Sequence, residues 1–532
     1  RRGFLFKDIV MGNTLVDMYA KCGHLAKAQD ILNSLPSRNV VSWNALIAGY
    51  TEHGFASEAL DCYEKMKLEL VEPDAITIIC ILRACGTIRA TQKGQEIHAK
   101  MVREGLPLAR DVLLVANALI DMYAKCDLIS KSQEVFEQLP LRDGISWNAL
   151  IAGYVDREQG KEALQCFELM QIEGFSPNMV TFTCILKACG MVGFLHVGED
   201  IDSKIRKQGL LERDVVLGTA LVDMYANGGF LAEAEEVFFR LQTQDVVAWT
   251  SLIVGYTKHG FGEEAINCFR KMQDGAICPD SVVYICVLKA CSSIREIEKG
   301  QEIHAEGTRL KLLEQYPNVG TALIDMYSCC NIVIYSQEVF DKLPDQDIVS
   351  WNALIGAYMN HGCSMLALNC FEQMQLEGVY PDAVTFLYIM KACSNIGAID
   401  NGQNIHTNFV KLDLLENHIC LGNALLDMYI SCGLFKEAQD IFDKLPLKDT
   451  VSWNTLSMGY IKYGYFNHAL KCIQKMQQLR ITPDITTFLC RLKVCSSVDT
   501  MEDCYELHSE MINKGLLEKE FTYSSLVKSQ EE

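Results

Sequence analysis

The chain has 532 residues, of which 49% are hydrophobic and 22% charged, and its formal net charge is −20. That is enough apolar material for an extended core. The apolar residues never gather into a run of about 18, so no bilayer span is predicted. The acidic balance argues against a general nucleic-acid binder that works through phosphate attraction alone.

In chain order, TLVDMYAKCG around Leu15 comes first, VVSWNALIAGY around Trp43 second and CILRACG from Cys80 third. The set then returns as ALIDMYAKC at Leu119, GISWNALIAGY at Trp147 and CILKACG from Cys184. It returns again at Leu221, Trp249 and Cys286, at Leu323, Trp351 and Tyr388, and at Leu425, Trp453 and Cys490. The five tryptophans are 104, 102, 102 and 102 residues apart. A fixed period with three related phrases means an array, and a third of 102 is 34, the length of one helix–turn–helix hairpin.

The residues inside one unit agree. In 40–74, Trp43, Leu46, Ile47 and Tyr50 fall at i, i+3, i+4 and i+7, one apolar helix face. Gly54 breaks that helix; Ala59, Tyr63 and Met66 mark a second face; and Pro73 stops it. No stretch alternates as strands do. Neither helix can bury its face alone, so the hairpins must stack. The prediction is an all-α α-solenoid of about 15 helix–turn–helix repeats, one array over residues 1–532. Arg1 falls in a truncated repeat and Glu532 early in another, as expected of a fragment or processed chain; any targeting peptide would lie upstream.

The 23 cysteines fall mostly in repeat columns, such as Cys62, Cys166, Cys268, Cys370 and Cys472. Column members stand three hairpins apart, beyond the roughly 4.4–6.8 Å Cα separation of a disulfide. No C-x-x-C occurs. The expectation is structural thiols in a reducing compartment, with no metal site and no cofactor.

The W-N-x-L-I-x-G-Y phrase, the G-[FIV]-x-P-D endings and the three alternating lengths resemble the pentatricopeptide repeat family, and within it the plant PLS subclass. The resemblance covers essentially the whole chain. It divides the array into S motifs at 9–39, 113–143, 215–245, 317–347 and 419–449. P motifs follow at 40–74, 144–178, 246–280, 348–382 and 450–484, and L motifs at 75–112, 179–214, 281–316, 383–418 and 485–520. The first L motif is two residues longer than the others, which accounts for the single spacing of 104. The resemblance implies a right-handed superhelix that binds single-stranded organellar RNA, one base per repeat. It implies a mitochondrial or chloroplast location and a role as specificity factor for RNA modification by C-to-U editing. RNA splicing or processing, or a protein-binding scaffold without RNA, are the alternatives. Editing chemistry in the family belongs to a C-terminal zinc deaminase domain, which this sequence lacks. The chain is therefore expected not to be an enzyme, and a deaminase-bearing or other editing factor would act in trans. No membrane or small-molecule partner is expected. His508-Ser509-Glu510 spells H-x-E, but it aligns with the phrases at His98 and His304 and is a repeat position.

The resemblance further implies that the fifth and last residues of a motif choose the base. In P motifs these are Asn44/Asp74, Asn148/Asn178, Thr250/Asp280, Asn352/Asp382 and Asn454/Asp484. In S motifs they are Asn13/Asn39, Asn117/Asp143, Thr219/Asp245, Thr321/Asp347 and Asn423/Asp449. Amides, hydroxyls and carboxylates present different donor and acceptor sets to a base edge. The competing explanation is helix capping by Asn and Thr at the fifth position. The second residue of each P motif, Val41, Ile145, Val247, Val349 or Val451, is implied to sandwich the bases, against the alternative of a core residue. Family correspondences give C-U-n-U-C-n-G-G-n-G-U-n-U-U-n from the N-terminus toward the RNA 3′ end, with n for each L motif. The L motifs carry Ile79, Thr183, Ile285, Leu387 and Leu489 at position five, and only Thr183 could hydrogen-bond an edge.

A basic column recurs at position nine of the L motifs: Arg83, Lys187, Lys289, Lys391 and Lys493. It stands one turn beyond position five, on the same face. The S motifs have Asp17, Asp121, Asp223, Asp325 and Asp427 there. The two columns read either as phosphate contacts or as an ion-pair ladder.

Overall fold

The computed structural model describes residues 9–104, 112–209, 211, 214–411 and 419–498. Among them there are helices and no strands. Fifteen are first helices of a hairpin, fourteen are second helices, and one is the extra turn Leu312–Gln315. The chain divides into two compact units, Arg1–Val283 and Tyr284–Glu532.

In the first unit, Ile9–Lys21 pairs with Leu25–Ser34, and Val40–Glu52 with Ala56–Leu68. Each first helix also packs on the first helix of the next hairpin, from Ile9–Lys21 through Ala75–Thr87 and Val112–Lys125 to Val246–Lys258. The second unit repeats this arrangement from Pro317–Cys329 to Ile485–Val498. Each unit is thus a solenoid stack, with first helices in one layer and second helices in the other. The first helix that follows the longer L motif begins at Val112, one residue ahead of the 113 boundary.

The residues explain the hairpins. Trp43, Leu46, Ile47, Ala59, Tyr63 and Met66 are all buried. Each later tryptophan packs edge-on against a phenylalanine of the preceding hairpin, with Phe136–Trp147, Phe238–Trp249, Phe340–Trp351 and Phe442–Trp453 centroids 4.5–4.7 Å apart. Burial of such rings supplies most of the stacking energy. Glycine permits the closest helix approach: a Cβ at Gly255 would lie 2.6 Å from the Cβ of Ala226. The turn after each first helix needs a left-handed residue. Gly54 takes it at φ +82°, and Glu158 is forced into it at φ +57°.

The cysteine columns behave as packing groups. Burial raises the Cys62, Cys268 and Cys370 thiols to about 11 and those of Cys189 and Cys291 to about 12.

Candidate nucleic-acid interface

The ten last-position residues all stand immediately before a first helix. Asn39, Asp74, Asp143, Asn178, Asp245, Asp280, Asp347, Asp382, Asp449 and Asp484 each accept a hydrogen bond through Oδ1 from the backbone N–H three residues on. Those ten bonds are 2.8–3.0 Å long. They are N-caps, and the helix dipole favours the carboxylates there. Capping therefore belongs to the last position, and the fifth residues lie inside their helices and cap nothing. Burial pushes the carboxyls of Asp143, Asp382, Asp449 and Asp484 up. The hydrogen bonds they accept from the cap amide, the third-residue hydroxyl and the Asn amide outweigh it and hold them below the ordinary carboxylate range.

The fold brings fifth and last residues together from 26 or 30 positions apart. The Nδ2 of Asn44, Asn148, Asn352 and Asn454 donates to Oδ1 of Asp74, Asn178, Asp382 and Asp484 at 2.8–3.1 Å. Asn13, Asn117 and Asn423 do the same to Asn39, Asp143 and Asp449 at 3.2–3.4 Å. The threonines differ. Thr219 and Thr250 donate their hydroxyls to the carbonyls of Val215 and Val246, at 2.9 and 2.7 Å. Thr183 does likewise to Met179 at 2.9 Å. Thr321 is half-buried.

The second-position aliphatics are not core residues. Val41, Ile145, Val247, Val349 and Val451 are 51–59% exposed. Two further sets share this property and were not singled out from the sequence: Val10, Leu114 and Val216, and Ile76, Val180, Val282 and Val384. The signal was available, because every one of them is the second residue of its S or L motif. Asn318 and Cys420 interrupt the series. Positions two and five lie three apart on one helix face. Each unit therefore presents a stripe in which an exposed aliphatic group alternates with a polar pair. In the second unit a cleft of about 500 Å³ opens along it, lined among others by Asp427, Val451, Asn454, Met458, Asp484 and Lys493.

The basic column is exposed throughout, at Arg83, Lys187, Lys289, Lys391 and Lys493. Among the described residues, none of Arg83, Lys187, Lys289 and Lys391 lies within 4.0 Å of a carboxylate oxygen. Asp17 and Asp121 pair instead with Lys21 and Lys125 of their own helices, each at 2.8 Å. Of the two readings of this column, an ion-pair ladder is therefore not made by contacts at these four positions. Lys187 acts on Asp223 only through space: burial raises that carboxyl and the lysine's charge pulls it back.

Among the described residues no group of three or more His, Cys, Asp or Glu side chains could hold a metal ion. No described helix is long and apolar enough to cross a membrane. The histidine column is a joint between hairpins: the Nδ1 atoms of His98, His304 and His406 hydrogen-bond the hydroxyls of Tyr123, Tyr327 and Tyr429 at 2.7–2.8 Å. His508-Ser509-Glu510 lies outside the described residues.

The sequence matches the PPR repeat family model at 38–87, 142–191, 244–293 and 346–395. It matches the PPR repeat model at 13–40, 115–143, 219–246, 423–449 and 451–481. A chloroplastic pentatricopeptide repeat-containing protein of Arabidopsis thaliana is 33% identical over 511 residues, covering 96% of this chain. This chain spans 57% of that relative's length. A second chloroplastic one is 32% identical over 495 residues, covering 93% of this chain and 79% of the relative. A mitochondrial one is 31% identical over 515 residues, covering 97% and 50%. The crystal structure of the pentatricopeptide repeat protein PPR10 from maize superposes with a TM-score of 0.57 at 18% identity, covering 95% of this chain and 78% of that one. PPR10 in complex with an 18-nt psaJ RNA element gives 0.59 at 16% identity, covering 94% and 83%. The chain belongs to the PPR repeat family and has its α-solenoid fold.

Proposed function

We propose that the chain binds single-stranded RNA sequence-specifically, one base for each Asn- or Thr-bearing hairpin. The observation that carries this is the capping geometry. Because Oδ1 of every last residue is held by a backbone N–H, the atom left to face a ligand is decided by residue type. An Asp leaves Oδ2, an acceptor; an Asn leaves Nδ2, a donor. Uracil and guanine present an N–H at the centre of the Watson–Crick edge, and cytosine a bare nitrogen. Asp therefore suits U or G, and Asn suits C.

The fifth position adds a second discriminator. Asn spends one amide hydrogen on the cap residue and keeps one as a donor, which suits a pyrimidine carbonyl. Thr219 and Thr250 give their only hydroxyl hydrogen to their own helix and keep lone pairs, which suit the second donor of guanine. The exposed aliphatics supply faces on which bases stack. This chemistry favours the pattern C-U-n-U-C-n-G-G-n-G-U-n-U-U-n. Affinity resting on stacking and edges is compatible with a net charge of −20.

PPR10 has been crystallised with RNA, and relatives are named chloroplastic or mitochondrial. We place this chain in one of those organelles, as the specificity factor of a C-to-U editing complex whose deaminase is supplied by another protein or segment. The test is equilibrium binding to that RNA and to a base-scrambled RNA of equal composition at physiological salt. The pattern RNA should bind more tightly, with each mismatch costing on the order of 1 kcal/mol. Equal affinities would overturn the assignment. Incubation with cognate RNA and zinc should convert no cytidine; conversion would overturn the non-enzymatic role.

A further inference from the structure

We infer that each asparagine reader has a third partner, a positioning residue on the next hairpin: the Ser or Thr three residues beyond the last position. This inference rests on the RNA reading above. All seven fifth-position asparagines are followed by such a residue, namely Ser42, Thr77, Ser146, Thr181, Thr385, Ser452 and Thr487. In six, its hydroxyl donates to the Asn Oδ1 at 2.6–2.8 Å. That is as short as or shorter than its approach to the cap oxygen, 2.7–3.1 Å. The same oxygen accepts the backbone N–H of Asn39, Asp74, Asn178, Asp382 and Asp484 at 3.1–3.2 Å.

The hydroxyl is therefore directional. It accepts a hydrogen bond from the cap backbone N–H and donates its own to the asparagine. With Oδ1 held inward by the hydroxyl and Nδ2 tied to the cap residue, the amide can show a ligand only a donor. Asn117 is the exception. There Ser146 turns to Asp143 at 2.8 Å, Asn117 Oδ1 lies buried with no partner, and its bond to Asp143 is the longest of the set at 3.4 Å.

The threonine readers show the other state. Thr219 is followed by Ala248 and Thr250 by Val283, neither with a hydroxyl. Thr321 is followed by Ser350, whose hydroxyl donates to the Asp347 carbonyl at 2.8 Å instead. An asparagine without the third-position hydroxyl has a buried, unsatisfied Oδ1, which is unfavourable. In the free chain Asn117 keeps that oxygen buried; with no bond to lose it can turn the oxygen to a ligand, and an acceptor beside an Asp acceptor suits guanine. The third residue thus decides whether Asn distinguishes U from G.

The test measures full-chain binding to the pattern RNA with U or G at the base read by Asn44 and Asp74. Thr77→Val should lower the U:G preference there by about tenfold, the worth of one edge contact. The preference at the base read by Asn352 and Asp382 should stay unchanged, and Thr77→Ser should restore the wild-type ratio. A merely structural role would weaken all RNAs alike, and that outcome overturns the inference. A Thr77→Val chain as selective as a selective wild type overturns it too, while leaving the RNA reading intact. A wild type that does not distinguish U from G overturns the RNA reading and this inference with it. The converse needs no core truncation. Thr219→Asn alone should switch the G preference incompletely, and Thr219→Asn with Ala248→Ser should complete the switch to U. If the single change switches as fully as the double, the hydroxyl is dispensable and the inference falls.

Discussion

Residues 117–181 and 219–283 contain the same hairpin joints, offset by 102 positions, and they separate what holds the array together from what it reads. The joints agree. Trp147 and Trp249 meet Phe136 and Phe238 at 4.6 and 4.5 Å. Gly153 and Gly255 approach Ala124 and Ala226 equally closely, since a Cβ on either glycine would lie 2.6 Å from the alanine Cβ. Asp143 and Asp245 cap their helices at 2.8 and 2.9 Å. The reader sets do not agree. Asn117 and Asn148 are followed in register by Ser146 and Thr181, whereas Thr219 and Thr250 are followed by Ala248 and Val283. Trp147 and Asn148 are sequence neighbours with different surroundings: Trp147 packs on Phe136, and Asn148 hydrogen-bonds Asn178 and Thr181. A reader can therefore change without disturbing the stack beneath it.

The comparison is broken most directly by removing a shared anchor. Trp147→Ala and Trp249→Ala should each destabilise the chain by about 3–5 kcal/mol, and by similar amounts, in urea denaturation. A much smaller loss at one would show that the two stretches do not share a scaffold. A change in the reader alone should act on RNA and spare stability. Asn178→Asp keeps the cap but replaces a facing donor by an acceptor, so preference at the base read with Asn148 should move from C to U by roughly tenfold. An unmoved ratio would make the last position a cap and nothing more.

The turns sharpen the comparison at smaller scale. Glu158 holds φ +57° where Gly260 holds φ +82°. Glu158→Gly should stabilise, and Gly260→Ala destabilise, by about 1 kcal/mol each, read as opposite shifts in melting temperature. The caps add a pH dependence. Asp143 is held below its ordinary range, so its stabilisation is complete above the unfolded value of about 3.9. It is lost as pH falls through the lower folded value. Asp143→Asn should flatten that acid limb in melting experiments, and an unchanged limb would refute the assignment. The smallest effect is expected at Lys187, on the helix between the two stretches. Lys187→Ala should reduce the slope of log affinity against log salt by about 0.7 and leave the melting temperature nearly unchanged. An unchanged slope with a lower melting temperature would restore the ion-pair ladder.

The sequence alone determined the period, the hairpin unit, the buried faces and the columns in which Asn, Thr and Asp vary. These follow from spacing within one helix, where 3.6 residues per turn dictate which side chains share a face. The Trp43, Leu46 and Ile47 face needed nothing more to be placed in the core. Only the tertiary structure decided that the last residue of one hairpin caps the next, which leaves Oδ2 of Asp or Nδ2 of Asn free. It also decided that Val41 and its equivalents are exposed, and that Lys187 stands apart from Asp223. The contacts that orient the asparagines, such as Thr77 with Asn44, join residues 33 apart. Such pairs exist only once one hairpin has packed on the next, and no local period encodes their distance or direction.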